Sequence, residues 1–264
     1  MHEPDSSRTS VLESPRPKAS ADLLAERRQE LGQFLTPEPI GSFMASLFDA
    51  QPAEIRLLDA GAGSGALSAA LVKRLCRDKR RPKRIAVTTY EIDREIHPAL
   101  ERTLQSCRAE CARSGVEFSA AIHGEDFIEA AVSLVRGDLF SASKQPFNTA
   151  ILNPPYRKIN SDSRTRRLLR EAGIEASNLY AGFLALAAKL LCENGEMVAI
   201  CPRSFCNGPY SGSIRSKCSR SGRFPWRERR FRTSSFPSAR RFRCSPARSQ
   251  IAFSSSVQPG LRPQ

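Results

Sequence analysis

The stretch Leu57-Leu-Asp-Ala-Gly-Ala-Gly-Ser-Gly-Ala-Leu67 constrains the fold more than any other. A short strand, Arg56 to Ala60, runs into a glycine-rich turn, Gly61 to Gly65, and then into Ala66 to Arg77, whose Leu67, Leu71 and Leu75 fall on one helical face. Such a strand-to-helix turn opens a parallel sheet, because parallel neighbours need a crossover connection. The rest of the chain repeats the unit. Ile85 to Tyr90 reads as a strand ending in Glu91-Ile92-Asp93, Pro98 to Arg113 as a helix, and Ser119 to His123 as a strand followed by Gly124-Glu-Asp-Phe127. Thr149 to Leu152 is a fourth strand, Leu179 to Leu191 an apolar helix stopped by Glu193-Asn-Gly195, and Met197 to Cys201 a fifth strand. Upstream, a helix over Ala21 to Gly32 is separated by Thr36-Pro37-Glu38-Pro39 from a second over Ile40 to Phe48. The expectation is an α/β fold with helices on both faces of a parallel sheet.

The formal charge of +14 suggests a nucleic-acid binder until it is located along the chain. Ser211 to Gln264 holds 13 Lys and Arg against one acidic residue, a net of +12, which leaves 28 − 26 = +2 for residues 1–210. The body is almost neutral. The last 54 residues also carry 13 serines and have no sustained period, so a disordered basic tail is expected there. A natural phosphate-touching arm and an out-of-frame continuation of a GC-rich gene both give this composition. Residues 1–20, polar and mixed in charge, are expected to be disordered and lack the apolar centre of a signal peptide. With no run of 18 apolar residues, the reading is a cytoplasmic protein without a membrane span. The eight cysteines show no Cys-x-x-Cys pair and no paired histidine spacing, which argues against a metal site, and Cys107 and Cys111 read as small residues on one helix face.

The chemistry-bearing residues all fall at the ends of predicted strands, where open α/β sheets bind ligands. Asp59 precedes Gly61, Gly63 and Gly65, whose absent side chains let a cofactor approach the backbone. Glu91 is placed to accept from a ribose diol and Ile92 to cover an adenine face. Asp126 would bond the adenine amino group and Phe127 stack on its ring. Phe147 to Tyr156 then drives a buried-looking strand into Asn153-Pro154-Pro155-Tyr156. Neither proline can donate a ladder hydrogen bond, so the strand ends in a stiff turn that fixes an amide, two carbonyls and an aromatic ring. His97 and His123 read as structural.

These motifs, "DAGAGSG", "YEID", "GEDF" and "NPPY" on successive strands, resemble S-adenosylmethionine-dependent methyltransferases that modify exocyclic or amide nitrogens. "LGQFLTPEPIGSFMASLF" (31–48) is similar to the N-terminal cofactor motif of gamma-type N6-adenine DNA methyltransferases of restriction-modification systems. The resemblance covers about residues 25–210 and implies a Rossmann-like class I sheet, S-adenosylmethionine as cofactor and a catalytic domain over 21–210. It implies that Thr36 and Pro37 help enclose the methionine end of the cofactor, alongside Asp59 and the glycine loop. It also implies double-stranded DNA as partner, with the target adenine flipped out of the helix, and a cognate restriction endonuclease. The adenine amine is a poor nucleophile, its lone pair delocalised into the ring. Asn153 through its side-chain oxygen and Pro154 through its carbonyl would accept the amine protons and stabilise positive charge as the methyl transfers. Tyr156 would stack on the base, held in place by Pro155. Protein-glutamine and ribosomal-RNA methyltransferases share Asn-Pro-Pro-Tyr, and Gln33-Phe-Leu-Thr-Pro37 separates the DNA enzymes from them.

Departures from the family pattern begin after Tyr210, where hydrophobic periodicity is lost. That abruptness favours a frameshifted or truncated gene, a sheet without its last strands, an open edge at the fifth strand and a defective enzyme or non-catalytic remnant without a target-recognition region.

Overall fold

The computed structural model describes residues 36–49, 52–137 and 146–200, together with the backbone of three strands at 226–230, 240–244 and 249–253. The expected disordered segment 1–20, the helix expected over 21–32, residues 33–35 and Cys201 lie outside the described residues, as does the point after Tyr210 where the pattern breaks. In chain order the elements are α1 (Glu38–Ser46), β1 (Glu54–Ala60), α2 (Ala66–Arg77), β2 (Arg84–Tyr90), α3 (His97–Arg113) and β3 (Glu117–His123). They continue as α4 (Phe127–Arg136), β4 (Phe147–Leu152), α5 (Arg164–Glu171), α6 (Leu179–Leu190), β5 (Leu191–Ala199), β6 (Trp226–Arg230), β7 (Arg240–Cys244) and β8 (Ser249–Phe253).

The sheet order is β3-β2-β1-β4-β5-β8-β7-β6, with β3 through β5 mutually parallel. Strand order reverses between β1 and β4, so the crevice beyond their C-terminal ends is the switch point of the sheet. Both faces are covered. Leu57, Ile151 and Val198 pack with α1, α2 and α3, whereas Leu58, Ala60, Ala150 and Leu152 pack with α4 and α6. Because successive side chains face opposite ways, a strand buried on both sides reads as a nearly continuous apolar run. Leu57 and Leu58 are fully buried.

Several boundaries move for local reasons. The helix expected from Ile40 starts at Glu38, since Pro39 is tolerated in a first turn and the Pro37 carbonyl accepts from the N–H of Ile40 and Gly41. The fifth strand starts at Leu191 rather than Met197. Asn194, at φ 64, and Gly195 form an irregularity within it, where the pairing partner shifts from Phe147↔Leu191 to Thr149↔Glu196. Two helices had no counterpart in the sequence reading. Asp126 starts α4 by accepting from Ile128 N at 2.7 Å, and Ser163 starts α5 by accepting from Arg166 N at 3.2 Å.

The expectation that the sheet lacks its last strands is corrected by the structure, since the tail contributes β6, β7 and β8. β8 pairs in parallel with β5 through Met197↔Ile251 and Val198↔Ala252, and β7 and β6 follow antiparallel. The edge of β5, expected to be open, is therefore paired. An exposed edge presents unpaired N–H and C=O groups to any extended segment, and Ser249-Gln-Ile-Ala-Phe253 supplies one despite lacking a long period. Among the described residues no helix is long and apolar enough to cross a membrane.

Candidate active site

The glycine loop leaves β1 with Gly61, Gly63 and Gly65 at φ +73, +55 and +80, a region that L side chains rarely adopt. The N–H groups of Gly61 and Ala62 both donate to the Tyr90 carbonyl, at 2.8 and 3.1 Å, which ties the loop to the end of β2. Gly65 is a packing glycine. A Cβ there would lie 2.8 Å from Leu100 Cδ1 on α3, whereas a Cβ on Gly63 would meet nothing within 4 Å. Gly63 therefore borders open space.

Asp59 is fully buried below this loop. Its Oδ2 accepts from Ser68 Oγ at 2.6 Å, and its Oδ1, also buried, has no partner among the described residues. Burial pushes its carboxyl up to about 7, against the hydrogen bonds from Ser68 and with a further upward contribution from Glu91. Glu91, 3% exposed, lies across the loop: Oε2 accepts from Gly63 N at 2.8 Å and Oε1 from Asp93 N at 2.9 Å. Burial raises its carboxyl too, opposed by those two N–H groups. Next to it Ile92 is 56% exposed, an apolar side chain open to solvent. His97 Nε2 bonds the Glu91 carbonyl at 2.8 Å, and His123 stacks on Tyr90 at 4.8 Å.

Phe127 departs from expectation. Its ring is 3% exposed and lies between Tyr90 and Phe183, with centroids 5.2 and 5.0 Å away, so no face is open for an adenine. Asp126 bonds Ile128 N as the cap of α4, so this strand end contributes a helix N-terminus rather than a stacking ring.

Asn153-Pro154-Pro155-Tyr156 leaves β4 beside the glycine loop. A Cβ on Gly61 would lie 3.8 Å from Pro155 Cδ and 3.7 Å from Phe183 Cε1. Asn153 is held at both ends: its Nδ2 donates to Thr36 Oγ1 at 3.1 Å, and its Oδ1 accepts from the Tyr156 hydroxyl at 3.1 Å. Tyr156 is half-buried against Tyr180, with centroids 6.1 Å apart. The segment beyond it is pinned, since Leu179 N donates to the Arg157 carbonyl and Ile159 N to the Ser177 carbonyl, both at 2.8 Å. Pro37 is exposed and heads α1. Thr36, Gly61, Asn153 and Pro155 are thus brought together at the switch point, while Glu91 and Ile92 line the β2 side of the loop. Ser68 and Phe183 had not been singled out, and no short-range pattern marks them. Cys107 and Cys111 are buried on α3, and Cys111 Sγ lies 3.6 Å from Cys76 Sγ. Among the described residues no group of three or more His, Cys, Asp or Glu is arranged to hold a metal ion.

The five parallel strands in the order β3-β2-β1-β4-β5, with a glycine loop after β1, make the class I S-adenosylmethionine-dependent methyltransferase fold. A Listeria monocytogenes protein described as belonging to that class superposes with a TM-score of 0.51 at 11% identity, covering 80% of this chain and 59% of the other. The methyltransferase subunit of a type I restriction-modification system from Streptococcus thermophilus matches with a TM-score of 0.50 at 22% identity, over 76% of this chain and 42% of that one. The chain belongs to the Eco57I restriction-modification methylase family, whose profile matches residues 84–221, more than half of its length. It is 41% identical over 207 residues to the type II methyltransferase M.PstI of Providencia stuartii, covering 78% of this chain. It is also 43% identical over 206 residues to M.BsuBI of Bacillus subtilis, covering 76%. It spans 40% of the length of each of these two relatives.

Proposed function

We propose that this chain carries the catalytic core of an enzyme that transfers a methyl group from S-adenosylmethionine to the exocyclic N6 of adenine in DNA, within a cytoplasmic restriction-modification system that includes a cognate endonuclease, and that a defective fragment without target recognition is the alternative the test below separates from it. The observation that carries the reading is Pro155 lying against the glycine loop at Gly61, in the same turn as Asn153, which Thr36 and Tyr156 hold. The residues present fit the cofactor: Gly63 borders open space, Asp59 keeps a buried oxygen without a partner among the described residues, and Ile92 is exposed beside Glu91. When bound, S-adenosylmethionine supplies an electrophilic methyl group on a sulfonium.

The chain's own residues do the rest. Asp59 and the glycine loop receive the methionine end, Glu91 the ribose, and Ile92 and Asp126 the adenine of the cofactor. Asn153 Oδ1 and the Pro154 carbonyl accept protons of the substrate amine, which localises its lone pair and stabilises the charge that develops on nitrogen. Pro155 fixes the turn, and Tyr156 offers its ring to a base drawn out of the duplex. Residues 21–210 form the catalytic domain in this reading, and the basic segment after 210 adds salt-dependent phosphate contacts.

The test is parallel incubation of unmethylated bacterial genomic DNA, a release factor and ribosomal RNA with methyl-labelled cofactor, followed by nucleoside and amino-acid analysis of the labelled product. Label in N6-methyladenine is the expected result. Label in a release-factor glutamine or in ribosomal RNA instead would replace the substrate, and no label in any of them would remove the activity.

A further inference from the structure

We infer that His97 is a positioning residue for the adenosyl half of the cofactor: its Nε2 donates to the Glu91 carbonyl at 2.8 Å and steadies the peptide that joins Glu91, the ribose acceptor, to Ile92, the adenine cover. The inference rests on the methyltransferase reading above and gives a cofactor role to a histidine whose sequence context suggested only structure. A carbonyl oxygen can only accept, so Nε2 carries the proton in this contact whatever the state of Nδ1.

The other ties on Glu91 act elsewhere on the residue. Its N–H donates to the His123 carbonyl at 2.9 Å, and its carboxylate accepts from Gly63 N and Asp93 N. The His97 bond acts beyond Cα, on the next peptide plane. Such a plane turns about the ψ of one residue and the φ of the next, the two soft torsions on either side of it. A turn here would carry the Ile92 N–H with it and shift the exposed Ile92 side chain relative to the Glu91 carboxylate. The imidazole therefore holds two neighbouring cofactor contacts in one relation.

The surrounding packing is shaped to the ring. A Cβ on Gly124, at the end of β3, would lie 3.1 Å from His97 Cε1, so the missing side chain there leaves the imidazole its space. His97 opens α3 after a tight turn, in which Ile96 N donates to the Asp93 carbonyl at 3.1 Å and His97 N to the Arg94 carbonyl at 3.2 Å. Leu100, one turn further along the same helical face, is the side chain that a Cβ on Gly65 would strike at 2.8 Å. The first turn of α3 thus touches the glycine loop through Leu100, the end of β2 through Glu91 and the end of β3 through Gly124.

The experiment measures S-adenosylmethionine binding by calorimetry, and methyl transfer on unmethylated genomic DNA, for the full chain and for His97→Ala, His97→Gln and Gly124→Ala. In His97→Ala the cofactor Kd should rise about tenfold, the equivalent of one hydrogen bond, while the rate at saturating cofactor stays within about threefold. Glutamine can bring an N–H to the same carbonyl, so His97→Gln should recover most of the affinity. Gly124 does not have a positive φ, so alanine there meets the ring without backbone strain. Gly124→Ala should raise Kd about three- to fivefold, and no further when added to His97→Ala. An unchanged Kd in a His97→Ala chain that still unfolds cooperatively would overturn the inference, and so would equal losses from Gly124→Ala with and without the ring.

A second readout needs no cofactor. The backbone amide resonance of Ile92, identified by isoleucine labelling and its loss in Ile92→Val, should move in His97→Ala and return toward its original position in His97→Gln. An unmoved resonance would also overturn the inference. An unsubstituted chain that binds no S-adenosylmethionine would instead overturn the methyltransferase reading, and this inference with it.

Discussion

The turns after β1 and β4 leave neighbouring parallel strands, paired through Leu57↔Thr149 and Leu58↔Ala150, at the same edge of the sheet, yet they are built in opposite ways. The first discards side chains: three glycines at positive φ free space at Gly63 and turn N–H groups toward acceptors at Tyr90 and Glu91. The second discards freedom, since Pro154 and Pro155 have fixed φ and no N–H. One turn is a permissive set of donors, the other a rigid set of acceptors. Under the proposed function this division follows the chemistry: the cofactor must be admitted close to the backbone, while the amine must meet acceptors whose positions are already set.

Five substitutions probe that contrast, from the largest expected effect to the smallest. Asn153→Ala removes an acceptor that acts on developing charge, so single-turnover methyl transfer should drop about 100- to 1,000-fold while calorimetry finds the cofactor Kd unchanged. Equal loss of both would erase the distinction between the two turns. Gly65→Ala should lower unfolding free energy by about 3 kcal/mol in urea titration, combining the left-handed backbone with crowding against Leu100. Gly63→Ala, with open space in place of a clash, should cost only about 1 to 2 kcal/mol. Similar losses at the two glycines would show that conformation alone governs the loop.

The fourth concerns pH. The folded-state value of Asp59, about 7, lies above its unfolded value of 3.8, so between those values the folded chain binds more protons than the unfolded one. Stability from this group therefore falls as pH rises from about 4 through 7 and changes little above about 8. Asp59→Asn should flatten that decline and raise stability at pH 8 by about 2 kcal/mol, read from urea midpoints, while weakening cofactor binding. A decline of the same steepness in the variant would move its source to Glu91. The smallest effect is expected for Pro155→Ala, a loss of about 0.5 to 1 kcal/mol in stability through the unfolded chain. Its methyl-transfer rate should stay within about tenfold; a larger fall would mean that the ring itself positions Tyr156.

Much of the architecture could be read locally. α2 spans the same Ala66–Arg77 read from its leucine spacing, and α3 and α6 differ from the reading by a single residue at one end. Other features had weaker local signals. The segment after Asp126 carries apolar residues at 128, 131, 132 and 135, a helical spacing that was present but unread. The tail strands are five residues each, too short to announce themselves by period. Phe127 was expected to face a ligand because it follows a strand end. Its burial depends on Tyr90 and Phe183, and the latter lies 56 positions away in sequence.

By itself the sequence determined the alternation of strands and helices, the glycine loop and the stiff tetrapeptide. Each of these follows from side-chain period, permitted φ and missing N–H groups, which act within a few residues. Only the tertiary structure decided that Thr36 meets Asn153 across 117 positions, that Glu91 crosses to Gly63, and that the edge of β5 is taken by β8. Such pairings are chosen by which surfaces pack and which polar groups would otherwise be left unpaired, a selection made between elements rather than along the chain.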